Sequence, residues 1–392
     1  MTVGIICEFD PLHLGHAHLL AQARAMGASA VVCAMSGSFT QRGSFAAVSK
    51  TARAEMALRC GADLVLELPV LWAMSPAERF ADGGVALLTR TGAVDTLLFG
   101  SECGDLPTLQ AAAAALDSPA FTEALRARQE NGVTFAAARQ QALASLPGVD
   151  ASLLEKPNNT LAVEYLRAIA RQRSRLVPLT IPRTGADHDG PPEAGTASAS
   201  HLRALLSRGA AEDACAFMPP AAADILCREV RSGRIADPAL CERAILSRLR
   251  TMSEADWQAY DRGGEGLYHR LFRAAQTGAS LEEVLTAAKT KRYPLSRLRR
   301  MIMAAWLALP PDVPAQPPYL RVLAANAAGR VLLRQMRDTG APVLTKPADV
   351  PALSREAAAL LALESRCTDL RALACPDPGR PGEDMRAAPL ML

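Results

Sequence analysis

Short apolar runs recur through the first hundred positions, each bounded by polar or turn-forming residues. Val3–Cys7, Ala30–Ala34, Leu64–Leu68 and Thr96–Phe99 read as buried strands. Between them the apolar period lengthens to that of helices, near 15–26, 49–60 and 76–90. Strands alternating with helices in this way describe βαβ units and a parallel sheet, whose ligands lie outside the carboxyl ends of the strands. Helical patterning then covers 107–145 and 156–171, and Arg175–Ile181 reads as a fifth strand. A Gly/Pro-rich loop at 182–197 leads into a helix with Ser198 or Ser200 at its N-cap. This strand–loop–helix closes a first domain, 1–210.

Past that point the pattern is helical, near 221–231, 238–250, 265–277, 280–290 and 295–308. A Pro-rich joint at 310–318, a mixed segment at 319–345 and a helix at 353–364 complete a second, mainly helical domain, 211–373. The segment 374–392 is rich in Pro, Gly and charge and is expected to be a disordered tail. The expected fold class is α/β: a Rossmann-like domain with a parallel sheet, followed by helices.

Composition narrows this picture only a little. A chain of 392 residues suits two domains. With 43 basic and 40 acidic side chains the net charge is +3, so the distribution of charge must decide whether nucleic acid is a partner. Nine cysteines without a CxxC pair give no zinc ribbon and read as reduced thiols. Cys215, Cys227, Cys241, Trp72, Trp257 and Trp306 are expected in cores, and no metal site is expected. Glu8 and Asp10 interrupt the apolar start, which argues against a signal peptide, and no apolar run approaches the ~20 residues of a membrane span. The expectation is a soluble, cytoplasmic protein.

The chemistry concentrates directly after the first strand, in Glu8-Phe-Asp-Pro-Leu-His-Leu-Gly-His16. Pro11 stiffens the turn, and Gly15 lets a ligand approach the backbone. His13 and His16, three apart, project from one side of a helix's first turn. The N–H groups and dipole at that end favour an anion, and two imidazoles can donate to phosphate oxygens as charge develops at phosphorus.

His13-Leu-Gly-His16 resembles the HxGH signature of the nucleotidyltransferase superfamily. Ser198-Ala-Ser-His-Leu-Arg203 resembles its second signature, a Ser-rich turn opening a helix that carries a basic residue. Further segments follow in order: Met35–Gly43, Val48–Arg53, Phe99-Gly-Ser-Glu102, Lys156-Pro-Asn-Asn159, Asp187-His-Asp189 and Thr290-Lys-Arg-Tyr293. Together they resemble the bacterial tRNA(Met) cytidine acetate ligase family, from residue 3 to roughly 345.

The resemblance implies that acetate and ATP, with Mg2+, form acetyl-adenylate. The acetyl group then passes to N4 of the wobble cytidine of elongator tRNA(Met). It implies catalytic roles for His13, His16 and Arg203. The ATP site would comprise Ile6, Cys7, Glu8, Phe9, Asp10, Pro11, Leu12, His13, Leu14, Gly15, His16, Ala17, His18, Leu19, Gly100, Asn158 and Arg183. Three positions depart from the family pattern: Asp10, Leu12 and Leu14 stand where Asn, Phe and Asn are usual. Asp10 adds negative charge beside phosphate, which Mg2+ or Lys50 would have to offset.

The RNA partner is expected at two places. Lys50 and Arg53 open a helix and are candidates for phosphate or tRNA contacts. Lys289, Lys291, Arg292, Arg297, Arg299 and Arg300 cluster without an acidic neighbour, with Tyr293 among them to stack on a base. A small-molecule adenylyltransferase and a catalytically silent RNA-binding protein on the same scaffold remain as alternatives. The first leaves the basic helical half unexplained, and the second leaves His13, His16 and Arg183 unexplained.

Overall fold

Side-chain alternation along the strands decides how the layers stack. In the computed structural model, which describes residues 1–129, 135–183, 195–261, 264 and 266–392, the strands are β1 (Thr2–Cys7), β2 (Ala30–Ser36), β3 (Leu64–Leu68), β4 (Thr96–Ser101), β5 (Val177–Pro182), β6 (Leu320–Ala325), β7 (Val343–Leu344) and β8 (Leu390–Met391). Val3, Ile5, Val31, Cys33, Met35 and Val65 enter one core, while Val32, Ala34, Leu64, Leu66 and Leu68 enter the core on the opposite face. Both faces are covered, so the strands read as continuous apolar runs. Trp72, Trp257 and Trp306 are core residues, as is Cys241, whereas Cys215 and Cys227 are partly exposed.

The sheet runs β5-β4-β1-β2-β3-β6-β7, with β8 paired to β6. The first five strands are all parallel. The order reverses between β1 and β4, so a crevice opens at their carboxyl ends, where α/β sheets take their ligands. Helix α1 (Leu14–Ala25) follows β1, and α2 (Lys50–Arg59) connects β2 to β3.

The expected boundary at 210 does not bound the sheet. β6 pairs antiparallel with β3, and β8 pairs with β6, so residues from beyond 210 complete it. An uncovered β3 edge would present unpaired N–H and C=O groups, which β6 satisfies. The expected tail at 374–392 is also held: Asp384 is buried and receives Lys50 Nζ at 2.9 Å and Arg321 Nη1 at 2.7 Å.

Lys50 is therefore not a tRNA or phosphate contact. Only 2% exposed, it also donates to Glu67 Oε1 at 2.7 Å, while Arg321 reaches Glu67 Oε2 at 2.9 Å. Burial pushes the Asp384 carboxyl up, but Lys50 and Arg321 outweigh it and hold the group down at about 2. Glu364 borders this cluster and accepts the Val70 N–H at 2.6 Å. Burial, then repulsion from Glu67, raises its pKa to about 8.

Arg53 is likewise absent from the surface, at 0% exposed. Its guanidinium donates to the carbonyls of Val48 (3.0 Å), Glu8 (2.5 Å), Ser36 (3.0 Å) and Gly37. It thus ties together the segment after β1, the end of β2 and the entry to α2. The five-donor fork of Arg makes such a clamp possible where a lysine could not.

Two measurements test these assignments. Arg53→Ala leaves buried carbonyls without donors and should lower the unfolding free energy by about 2–4 kcal/mol, read by urea denaturation. Wild-type stability in that variant would return Arg53 to the solvent-facing role. For Glu364, the folded pKa lies above the ordinary value of 4.5, so its contribution to stability is fully present below that pH. It is lost as pH rises through about 8. Glu364→Gln should flatten the decline of Tm over this window by about 2–4 °C; a Tm profile parallel to wild type would refute the assignment.

Candidate active site

A cleft of ≈ 720 Å³ opens over the carboxyl ends of β1, β4 and β5. Ile6, Cys7, Glu8, Phe9, Asp10, His13, Gly15, His16, His18 and Leu19 line it from the first loop, with Gly100, Asn158 and Arg183 from the β4 and β5 side. Ser198 and Arg203 line it from the second signature, and Arg299 and Arg300 from the basic helical segment. Residues from widely separated parts of the sequence thus share one cleft.

The loop after β1 is tightly specified. Phe9 takes φ +49°, an uncommon conformation for a residue with a side chain, with its ring buried. That ring meets His16 edge-on at 5.0 Å. The Asp10–Pro11 peptide is cis. His13 caps α1: its Nδ1 accepts the Gly15 N–H at 3.1 Å, and His16 Nδ1 accepts the His13 N–H at 3.3 Å. The two rings stack with centroids 3.7 Å apart.

This arrangement alters one expectation. The first N–H groups of α1 are engaged: Leu14 donates to Phe217 O at 2.9 Å, Gly15 to His13, and His16 and Ala17 to His13 O. An anion at this end therefore meets imidazoles before backbone. Because each Nδ1 accepts a hydrogen bond, the neutral ring carries its proton on Nε2. Pro11, Leu12, Leu14 and Ala17 do not line the cleft; Pro11 and Leu12 are buried, and Leu14 is exposed.

On the β4 and β5 side of the cleft, Glu102 organises the start of the 157–171 helix. Its carboxylate accepts the Asn158 N–H at 3.1 Å, Asn158 Nδ2 at 2.7 Å and the Asn159 N–H at 2.6 Å. An anion at a helix N-terminus is favourable there. Asn158 Oδ1 in turn accepts Arg183 Nη1 at 3.3 Å. Gly100 has no side chain to obstruct this: a Cβ would lie 3.1 Å from Arg183 Cγ.

Asp10 is offset by arginine rather than by Lys50. Its Oδ1 accepts the Val48 N–H at 3.3 Å, its Oδ2 lies 3.9 Å from Arg203, and its carbonyl accepts Arg203 Nη1 at 2.8 Å. Ser198 caps the helix carrying Arg203, accepting the His201 N–H at 3.2 Å.

The basic segment divides. Lys289, Lys291, Arg292 and Arg299 are exposed, and Arg297 and Arg300 are half-buried. Tyr293 departs from expectation: its ring is only 5% exposed, and Arg297 and Arg292 lie over it at 5.3 and 5.8 Å. It packs beneath cations and does not present a face to a base. Arg300 donates to Gln41 O at 3.2 Å, and burial, then repulsion from Arg297, lowers its pKa to about 10.

Thr40, Gln41 and Arg42 also line the cleft, as do Phe80, Phe99 and Tyr165. The first three lie in the Met35–Gly43 motif, which the sequence offers without a role for each residue. Asp187, His188 and Asp189 lie outside the described residues. Among the described residues no group of three His, Cys, Asp or Glu is arranged to hold a metal, and no helix is long and apolar enough to cross a membrane.

Known proteins share this sequence pattern and this architecture. The family model of the HIGH nucleotidyltransferases matches residues 1–382. The tRNA(Met) cytidine acetate ligase of Acetivibrio thermocellus is 35% identical over 403 residues, covering 96% of each chain. The apo crystal structure of Thermotoga maritima TmcAL superposes with a TM-score of 0.93 at 29% identity, covering 100% of this chain and 99% of its own. The same protein bound with alpha-thio ATP gives a TM-score of 0.91 at 28% identity, with the same coverage. The chain therefore belongs to the HIGH nucleotidyltransferase family, and within it to the tRNA(Met) cytidine acetate ligases.

Proposed function

We propose that this protein activates acetate with ATP as acetyl-adenylate and transfers the acetyl group to N4 of the wobble cytidine of elongator tRNA(Met). The observation that carries this reading is the convergence of the HxGH pair, Arg183, Arg203 and the Arg299–Arg300 pair on one cleft. The near-full-length likeness to acetate ligases and to an ATP-analogue-bound structure supports it.

In the first step an acetate oxygen attacks the α-phosphorus, and pyrophosphate departs. Negative charge grows on the non-bridging oxygens and on the leaving group. His13 and His16 stabilise it through Nε2–H, held in place by Nδ1 contacts that fix both rings before the reaction begins. Arg183 and Arg203 add charge-assisted donors along the polyphosphate. Asn158 and Gly100 shape the nucleotide end. ATP enters as its Mg2+ complex, with the ion counted as part of the substrate.

In the second step the tRNA lies over the exposed Lys289, Lys291, Arg292 and Arg299, which neutralise its phosphates and release counterions. Residues 1–210 supply the nucleotide site, and the helices beyond 210 supply this RNA-facing surface. Placement of the cytidine beside an already activated acyl group provides most of what the transfer requires.

Incubation with radiolabelled acetate, ATP and elongator tRNA(Met) should give ATP-dependent label in the tRNA. His16→Ala should lower turnover by about 10²–10³-fold, the scale for loss of an oxyanion donor, with an unchanged circular dichroism spectrum. Retained turnover would remove the HxGH pair from the chemistry. Replacing Lys289, Lys291 and Arg292 together by Ala should raise KM for tRNA and weaken its salt dependence, the log–log slope falling by about one for each phosphate no longer neutralised. A salt slope equal to wild type would place the RNA elsewhere.

A further inference from the structure

The transfer step forms an N–C bond and breaks the C–O bond of the mixed anhydride. AMP leaves with the electron pair, and one N4 proton must go to an acceptor. An exocyclic cytidine amine has its lone pair delocalised into the ring, so attack is assisted by a base at that proton. A carboxylate lining the same cleft is suited to accept that proton.

The carboxylates lining the described part of the cleft are Glu8 and Asp10. Asp10 is 1% exposed, its Oδ2 is shielded from solvent, and it faces Arg203. Glu8 is half-buried at the end of β1. Its Oε1 accepts the Gln41 N–H at 2.7 Å, and Oε2 takes no hydrogen bond among the described residues. The Gln41 carbonyl, at the other side of the same residue, accepts Arg300 Nη1 at 3.2 Å. Glu8 is thus two hydrogen bonds from the basic helix and five residues from His13.

The seam is built for close approach. Gly43 takes φ +72°, and a Cβ there would lie 2.5 Å from the backbone N of Arg300. Only glycine lets the 40–43 turn rest on that helix. Phe39 and Phe45 pack on Trp306 at 6.4 and 5.5 Å, fixing the turn from beneath.

We infer that Glu8 is the general base of the second step, accepting the N4 proton on Oε2 as the amine attacks the acetyl carbonyl. This rests on the acetate-ligase reading above. Burial raises the Glu8 pKa from its ordinary value, which suits a proton acceptor near neutral pH. The groups facing it are Cys7 and Asp10 on its own segment, Arg53 from α2, Arg203 from the 199–207 helix and Tyr165 from the 157–171 helix. His13, His16 and Arg42 line the same cleft.

The two half-reactions provide the test. Acetate-dependent pyrophosphate exchange reports adenylation, and single-turnover labelling of tRNA from preformed acetyl-adenylate reports transfer. Glu8→Gln keeps an acceptor for the Gln41 N–H, so the fold, checked by Tm, should persist. The ratio of transfer rate to adenylation rate should fall about 10²-fold, the lower bound for general-base catalysis. The acidic limb of the transfer pH profile should vanish in that variant, and Glu8→Asp should restore it in part. An unchanged ratio, or an acidic limb that persists in Glu8→Gln, would overturn the assignment. Wild-type protein that exchanges pyrophosphate but leaves the tRNA unlabelled would overturn the acetate-ligase reading, and with it this role.

Discussion

The site depends first on a guanidinium that never meets solvent. Arg53 joins the carbonyls of Glu8, Ser36, Gly37 and Val48, and so fixes where the chain goes after β1 and β2. Burial lowers its pKa, opposed by the field of Asp10, so its charge survives through its neighbours. A buried arginine is costly unless its donors are filled, and here carbonyls fill them. The consequence passes directly to chemistry. With the Glu8 carbonyl anchored, the residues from Phe9 to His13 have little freedom, and the two imidazoles arrive stacked and already hydrogen-bonded.

A second constraint is the meeting of the first loop with the basic helix. The 40–43 turn contacts Glu8 through one peptide group and Arg300 through the next, over a floor of Phe39, Phe45 and Trp306. The first loop and the basic helix are therefore adjoining walls of one cleft, and these are the proposed nucleotide and RNA surfaces. An acyl-adenylate is reactive toward water, and a second substrate held against the same wall shortens its exposure. In the proposed reaction, effective concentration is the main contribution of this geometry, beside the base proposed for the second step. The sheet reinforces it: β6 and β8 return from beyond the helical region, so the two halves share backbone hydrogen bonds.

Much of this is legible in the sequence, and the exceptions have physical causes. Four of the five parallel strands show as apolar runs because both sheet faces are covered there, while β5, at the sheet edge, is only partly buried. His13 and His16 stand out because a motif directly after a strand has few other uses. Lys50 and Arg53 mislead because residue type reports charge but not burial; both are enclosed by partners distant in sequence, such as Asp384 and Gly37. β6 reads only as part of a mixed segment because its partner, β3, lies some 250 residues earlier, as Leu64–Ala325 shows, and no local period encodes that pairing. Asp384 reads as part of a tail for the same reason. Tyr293 reads as a stacking platform, since an aromatic among cations looks alike whether those cations await RNA or cover the ring.

The three positions expected from the sequence pattern to differ from the family, Asp10, Leu12 and Leu14, are the sharper test of the site. Leu12 is fully buried in the core beneath β1, where an apolar side chain of either shape contributes by exclusion from water. Leu14 is exposed and acts through its backbone N–H, bound to Phe217 O, so its side chain has no part in the cap. Asp10 is the one substantive change, because a carboxylate brings charge where an amide would not. Its surroundings contain Arg53, Arg203 and Arg371, each interacting with it favourably. Three guanidinium groups thus offset the Asp10 carboxylate from different elements. The extra charge fixes Arg203, whose remaining N–H donors face the cleft. In this chain the acidic residue before the proline positions Arg203 of the second signature, and in the proposed reaction the phosphate chemistry stays with the histidines.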